Sequence, residues 1–160
     1  RGLGDVYKRQ IFAVCAGLQV LGHTFRAHGE EAEGVGLLDV TTTPLSRRAT
    51  GELASEPTRA GVTAELSEPL TGFENHMGAT VLGPDASALG RVTRGVGNGD
   101  AKVDGVVQGS VIATYMHGPA LARNPQLADL LIARALDIPL AELQPLELDA
   151  VTKLREERLR

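Results

Sequence analysis

Ile11-Phe12-Ala13-Val14-Cys15-Ala16-Gly17-Leu18-Gln19 is the stretch on which the fold turns. Ile11–Val14 is a short apolar run of the kind that suits a strand buried on both faces. Ala16 and Gly17 make a small bend. From Leu18 to Ala27, the residues Leu18, Leu21 and Phe25 recur at helical spacing, and Gly29 supplies a stop. Cys15 is therefore expected where a strand turns into a helix.

Downstream, short runs rich in Thr, Val and Leu suggest extended segments at residues 36–43, 51–53, 61–66 and 79–82, punctuated by Pro and Gly. Residues 90–109 are glycine-rich and contain Asn98-Gly99, which reads as a hairpin turn. Val111–Tyr115 is a second apolar strand, ending at Met116-His117-Gly118-Pro119. Asn124-Pro125 opens a helix to Leu136, and the charged residues from Ala150 to Arg160 read as a solvated helix. Strand–helix units flanking a β-rich middle predict an α/β sandwich. Cys15 and His117 both fall just past strand carboxyl ends, where open α/β sheets place their sites.

Composition narrows the chemistry. The 160 residues suit one domain, and 42% hydrophobic with 22% charged residues supports a buried core. A net charge of −4 and 3% aromatics disfavour a nucleic-acid partner. The single cysteine allows no internal disulfide, which points to a reducing, cytoplasmic setting. No apolar run approaches the ~20 residues that span a bilayer, so no membrane insertion is expected. Arg1–Gln10 lacks an initiator Met and any clear period. It reads as a foreign or mistranslated leader, or alternatively as a genuine polar loop, ahead of a domain over residues 11–150 and a tail over 151–160.

A lone cysteine is often a small buried hydrophobe. At a strand-to-helix turn it instead faces the positive end of a helix, which favours thiolate, and open small neighbours give it the geometry of a nucleophile elbow. His117 is the natural base to take its proton and later return it to a leaving amine. His23 and His28 read as surface residues, and His76, in Gly72-Phe73-Glu74-Asn75-His76, as part of a turn held by Asn75 and Glu74. No histidine pair has zinc-motif spacing, and Gly95–Gly99 lacks the lysine and hydroxyl of a phosphate loop. Neither a metal nor a cofactor is expected.

The set C-A-G-L-Q (15–19), E-G-V-G-L-L-D (33–39), R-A-T-G-E (48–52), G-F-E-N-H (72–76), G-V-G-N (95–98) and T-Y-M-H-G-P (114–119) resembles the class I glutamine amidotransferases. Within these it is similar to the cobyric-acid-synthase-like branch, above all to the amidotransferase subunits of lipid II isoglutaminyl synthase. The resemblance implies their three-layer α/β sandwich with the first strands missing. It implies that Cys15 attacks the side-chain carbonyl of glutamine to form a thioester, with His117 as base and then acid. It aligns Arg48 with a substrate-binding arginine suited to the α-carboxylate, with adjacent Arg47 leaving the register open by one. Gln19 falls at the motif's glutamine, as either a pocket residue or a helix-surface amide. It also implies an ATP-using, Mur-ligase-like partner in a heterodimer, which uses the ammonia to amidate D-glutamate of lipid II.

Two departures carry expectations. The family's front strands and their oxyanion-hole loop are absent, so the chain alone is expected to be poorly soluble or inactive; losing one such donor costs about 10²–10³ in turnover. Ala16 replaces the motif's glycine, which is mild where φ is negative. The alternative functions are the amidotransferase part of a cobyric acid synthase and a non-catalytic α/β binding domain.

Overall fold

The computed structural model describes residues 10–27 and 29–160. The expected leader lies outside the described residues apart from Gln10, whose side-chain amide donates to the Leu131 carbonyl at 2.5 Å. The surface role expected of His28 also falls outside them.

β1 spans Ile11–Val14 and passes through Cys15 into α1, Ala16–Leu21. The helix is shorter than its apolar spacing suggests. Phe25 belongs instead to β2, Thr24–Ala27, which pairs antiparallel with β3, Glu30–Glu33. The reason is a close approach: a Cβ at Gly22 would lie 2.7 Å from Val40 Cγ2 and 2.8 Å from the Val40 carbonyl oxygen. That carbonyl accepts from His23 N at 2.8 Å, drawing the chain into extended backbone. Tertiary contact thus overrides the period-3.6 signal, helped by Thr24 and Phe25, which favour strands.

β4 (Val40–Pro57) and β5 (Leu70–Leu82) form a long antiparallel ribbon. It absorbs the extended runs at residues 51–53 and 79–82 and the second half of the run at 36–43, whose first four residues lie outside any strand. The fourth, residues 61–66, is not a strand: Gly61–Thr63 is a 3-10 turn, entered at a Gly61 φ of +48° and closed by Ala64 N on Gly61 O. β6 (Gly90–Arg94) and β7 (Val103–Asp104) pair antiparallel, forming the expected hairpin. β8 (Val106–Gln108) and β9 (Val111–Thr114) follow. Then come α2 (Ala120–Arg123), α3 (Pro125–Leu136, with proline in the first turn) and α4 (Asp149–Leu159).

Two sheets result, a small one ordered β1-β9-β8 and a larger one ordered β3-β2-β4-β6-β7, with β5 also on β4. The molecule is mixed α/β, as the alternation of elements predicts. One apolar cluster joins the sheets and helices: Ala13, Ile112 and Met116 meet Leu18 of α1 and Leu127 and Leu130 of α3. Each fully buried leucine contributes about 1.5–3 kcal/mol relative to exposure.

The tail helix α4 is not wholly solvated. Arg155 is buried, and its guanidinium donates to the Pro69 carbonyl at 2.9 Å, to Glu68 Oε2 at 3.1 Å, to Asn124 Oδ1 at 3.2 Å and to the Arg123 carbonyl.

Candidate active site at the ends of the paired strands

β1 and β9 run parallel with Val14 opposite Thr114, and Cys15 N donates to the Thr114 carbonyl at 2.9 Å as the last rung. There the chain leaves the sheet. Cys15 has φ +52° and ψ −110°, a conformation that is strained for a side chain and that clusters at functional positions. The bend lets Leu18 N and Gln19 N bond to the Cys15 carbonyl at 3.0 and 3.4 Å, which starts α1. Ala16 is the first helical residue, so the Cβ that replaces a glycine there meets no backbone penalty. The sulfur is half-buried.

Burial pushes the Cys15 thiol above its ordinary range. A hydrogen bond from the Ala16 backbone and the positive charge of Arg48 oppose this without reversing it. The helix end therefore does not by itself make a thiolate: desolvation wins, and the sulfur depends on a base for activation.

His117 stands three residues past Thr114, at the same end of the same sheet. Its backbone N–H donates to the Phe73 carbonyl at 2.7 Å, which ties it to β5. The close packing depends on Gly72, where a Cβ would sit 2.4 Å from Met116 Cβ. His117 Nε2 is buried and makes no hydrogen bond in the structure, so this nitrogen has no structural commitment. The Gly118-Pro119 peptide that follows is cis.

Arg48 reaches the site by an interruption of the ribbon. Pro44 pairs with Gly78 and Ala49 with His76, so Leu45, Ser46, Arg47 and Arg48 face Met77 alone and bulge outward. Arg48 is exposed, and its Nη1 donates to Asn75 Oδ1 at 3.0 Å. The Arg48 charge acts on Cys15 and favours its thiolate. Gln19 turns inward, its Nε2 donating to the Tyr115 hydroxyl at 3.2 Å. With Thr42, Thr43, Met77, Gly78 and Arg26 it lines a small cleft.

Residues 6–125 match the CobB/CobQ-like glutamine amidotransferase domain. The chain belongs to this family. It is similar to the lipid II isoglutaminyl synthase (glutamine-hydrolyzing) subunit GatD of Staphylococcus aureus (strain N315), at 33% identity over 148 residues, 91% of this chain and 57% of the relative. The subunit of the same name from Streptococcus pneumoniae (strain ATCC BAA-255 / R6) is 36% identical over 129 residues, 79% of this chain and 47% of the relative. A cobyric acid synthase of Sphingopyxis alaskensis is 37% identical over 131 residues, 78% of this chain and 24% of the relative. The chain spans about half the length of the two subunits that it matches. Among solved structures, a candidate GMP synthase subunit from Thermoplasma acidophilum superposes with a TM-score of 0.50 at 14% identity, covering 98% of this chain and 64% of that one. At that identity the likeness is one of fold.

In this amidotransferase domain the other histidines take different places. His23 is exposed, as expected, and lies 3.2 Å from Asp39 Oδ1. His76 is not in a turn. It lies within β5 and is buried, with Nδ1 3.0 Å from the Gly78 carbonyl and Nε2 3.3 Å from Glu74 Oε2. Glu74 in turn accepts from Val96 N and Gly97 N, both at 2.8 Å. The amides of the glycine turn thus already hold a carboxylate of the protein, which leaves them no phosphate to cradle. Among the described residues no cluster of His, Cys, Asp and Glu could hold a metal ion, and no helix is long and apolar enough to cross a membrane.

Asp104, Glu74 and Tyr115 are the polar residues whose buried roles the sequence did not announce. Asp104 is fully buried and accepts from Thr114 Oγ1 at 2.5 Å and Tyr115 N at 3.1 Å; burial pushes its carboxyl up to about 6. Residues 73–77 alternate in exposure, with Glu74 and His76 buried and Phe73, Asn75 and Met77 exposed, so this strand turns a charged and a titratable side chain inward and two apolar ones outward.

Proposed function

We propose that this chain is the glutamine-hydrolysing part of an amidotransferase that supplies ammonia for lipid II amidation. The observation that carries the reading is the Cys15 elbow bonded to the strand that leads to His117. Cys15 attacks the glutamine side-chain carbonyl as His117 takes the thiol proton. The Ala16 N–H, which bonds to the Cys15 sulfur in the free protein, turns to the oxyanion as it forms. His117 then gives its proton to the departing ammonia, leaving a glutamyl thioester. Water, deprotonated by His117, hydrolyses the thioester to glutamate and regenerates the thiol. Arg48 holds the α-carboxylate, and Gln19 completes the pocket.

Ammonia passes to an ATP-dependent, Mur-ligase-like subunit that amidates D-glutamate of lipid II, on the cytoplasmic side. The names of the two subunits, matched over 57% and 47% of their lengths, support this acceptor. The match to a cobyric acid synthase supports a second reading, in which a corrinoid precursor receives the ammonia.

The test is glutamate release by the full-length protein, alone and with a Mur-ligase-like or corrinoid-amidating partner. Cys15→Ala and His117→Ala are expected to lower release by about three orders of magnitude or more. ATP-dependent amidation of lipid II, but not of a corrinoid acid, is the expected acceptor pattern. Absence of glutamate release under every condition would make the chain a non-catalytic member of the family.

A further inference from the structure

His76 is 3% exposed and Glu74 2% exposed, and the chemistry above uses neither. Burying such groups is costly unless their hydrogen bonds are made, and these are made in a directed chain. Glu74 takes the N–H groups of Val96 and Gly97 and faces His76 Nε2. The other ring nitrogen faces the Gly78 carbonyl, so the imidazole cannot turn. Its ring stacks on Tyr115 with centroids 3.8 Å apart and planes at 19°. The Tyr115 hydroxyl lies 2.7 Å from Thr80 Oγ1, itself 2.9 Å from Thr42 Oγ1, and accepts from Gln19 Nε2. Gln19 N is bonded to the Cys15 carbonyl. Gly78 makes room for the junction: a Cβ there would lie 2.4 Å from Gln19 Nε2 and 2.6 Å from the Tyr115 hydroxyl.

We propose that His76 is a positioning residue: locked by Glu74 and Gly78 and stacked on Tyr115, it fixes the Gln19 amide beside the nucleophile for recognition of glutamine. With one Nε2 hydrogen committed to Tyr115, Gln19 keeps its carbonyl oxygen and its second amide hydrogen to offer a ligand. This inference rests on the glutaminase reading.

The experiment compares two alkylating probes on Cys15 in the full-length protein with its partner, with the labelled peptide identified by mass. Iodoacetamide reports the thiol alone; 6-diazo-5-oxo-L-norleucine must also be bound as glutamine. His76→Ala is expected to slow the glutamine-shaped probe about tenfold, the scale of one or two lost hydrogen bonds, while iodoacetamide changes less than about twofold. Tyr115→Phe keeps the stacked ring and removes the hydroxyl, and gives the same selective loss whether or not the alanine variant folds. The double variant of His76→Ala with Gln19→Ala is no slower than Gln19→Ala alone, because both lie on one path. Equal slowing of both probes, or additive losses in the double variant, overturns the proposal. A wild-type protein with no preference for the glutamine-shaped probe sinks the glutaminase reading itself, and this inference with it.

Discussion

The Cys15 sulfur sits between burial, which disfavours its charge, and Arg48, which favours it. Replacing Arg48 with Gln removes the favourable influence, so the thiol rises further and alkylation by iodoacetamide at neutral pH slows several-fold. A shifted pH profile of that rate is the measurement, and an unchanged profile would show that Arg48 does not act on the sulfur. Asp104 behaves in the opposite sense to a surface carboxylate. Its folded-state pKa of about 6 lies above the unfolded value, so the native state holds the extra proton between roughly pH 4 and 6. The stability it contributes is complete below about pH 4 and is lost as pH rises through about 6. Asp104→Asn is expected to flatten this part of the stability–pH curve, read as urea midpoints across that range. The placement of Cys15 and His117 just past strand ends was legible in the sequence because each follows a short apolar run, a local pattern. Asp104, Glu74 and Tyr115 were not, because their partners lie across strands and because nothing local marks a carboxylate as buried.

Elements were legible where a local signal was uncontested. Proline at the start of α3 and the Asn98-Gly99 turn of the β6–β7 hairpin are examples. The length of α1 was not legible, because the contact that stops it involves Val40, far along the chain. The glycines at such contacts are the fragile points of the elements. Gly72→Ala places a Cβ against Met116 and forces β5 away from the segment carrying His117. A loss of about 1–3 kcal/mol in stability is expected, with a larger proportional loss of glutamine hydrolysis. Urea unfolding and initial rates on the same preparation test it; unaltered values for both would mean that the strands part without cost.

Across the whole molecule, α4 is tied on through two guanidinium groups, the buried Arg155 and the more exposed Arg158, whose Nη1 lies 3.7 Å from Glu52 Oε1. Arg155 links the tail to residues 68–69 and to the junction of α2 with α3. Arg155→Ala strips partners from several buried oxygens at once and is expected to cost about 2–4 kcal/mol and to open α4 to proteases first. Limited proteolysis followed by mass analysis of the fragments checks this, and cleavage elsewhere would contradict it. The sequence showed the helix and not its anchor, since a lone arginine in a charged run looks like any other. The interrupted β4–β5 ribbon has a different kind of consequence. Its rungs are fixed on either side of residues 45–48, so that segment can lengthen, shorten or change composition without shifting the ladder. Descendants of this fold could therefore retune what sits over the cleft by small insertions there, trading reach for selectivity while the scaffold beneath stays put.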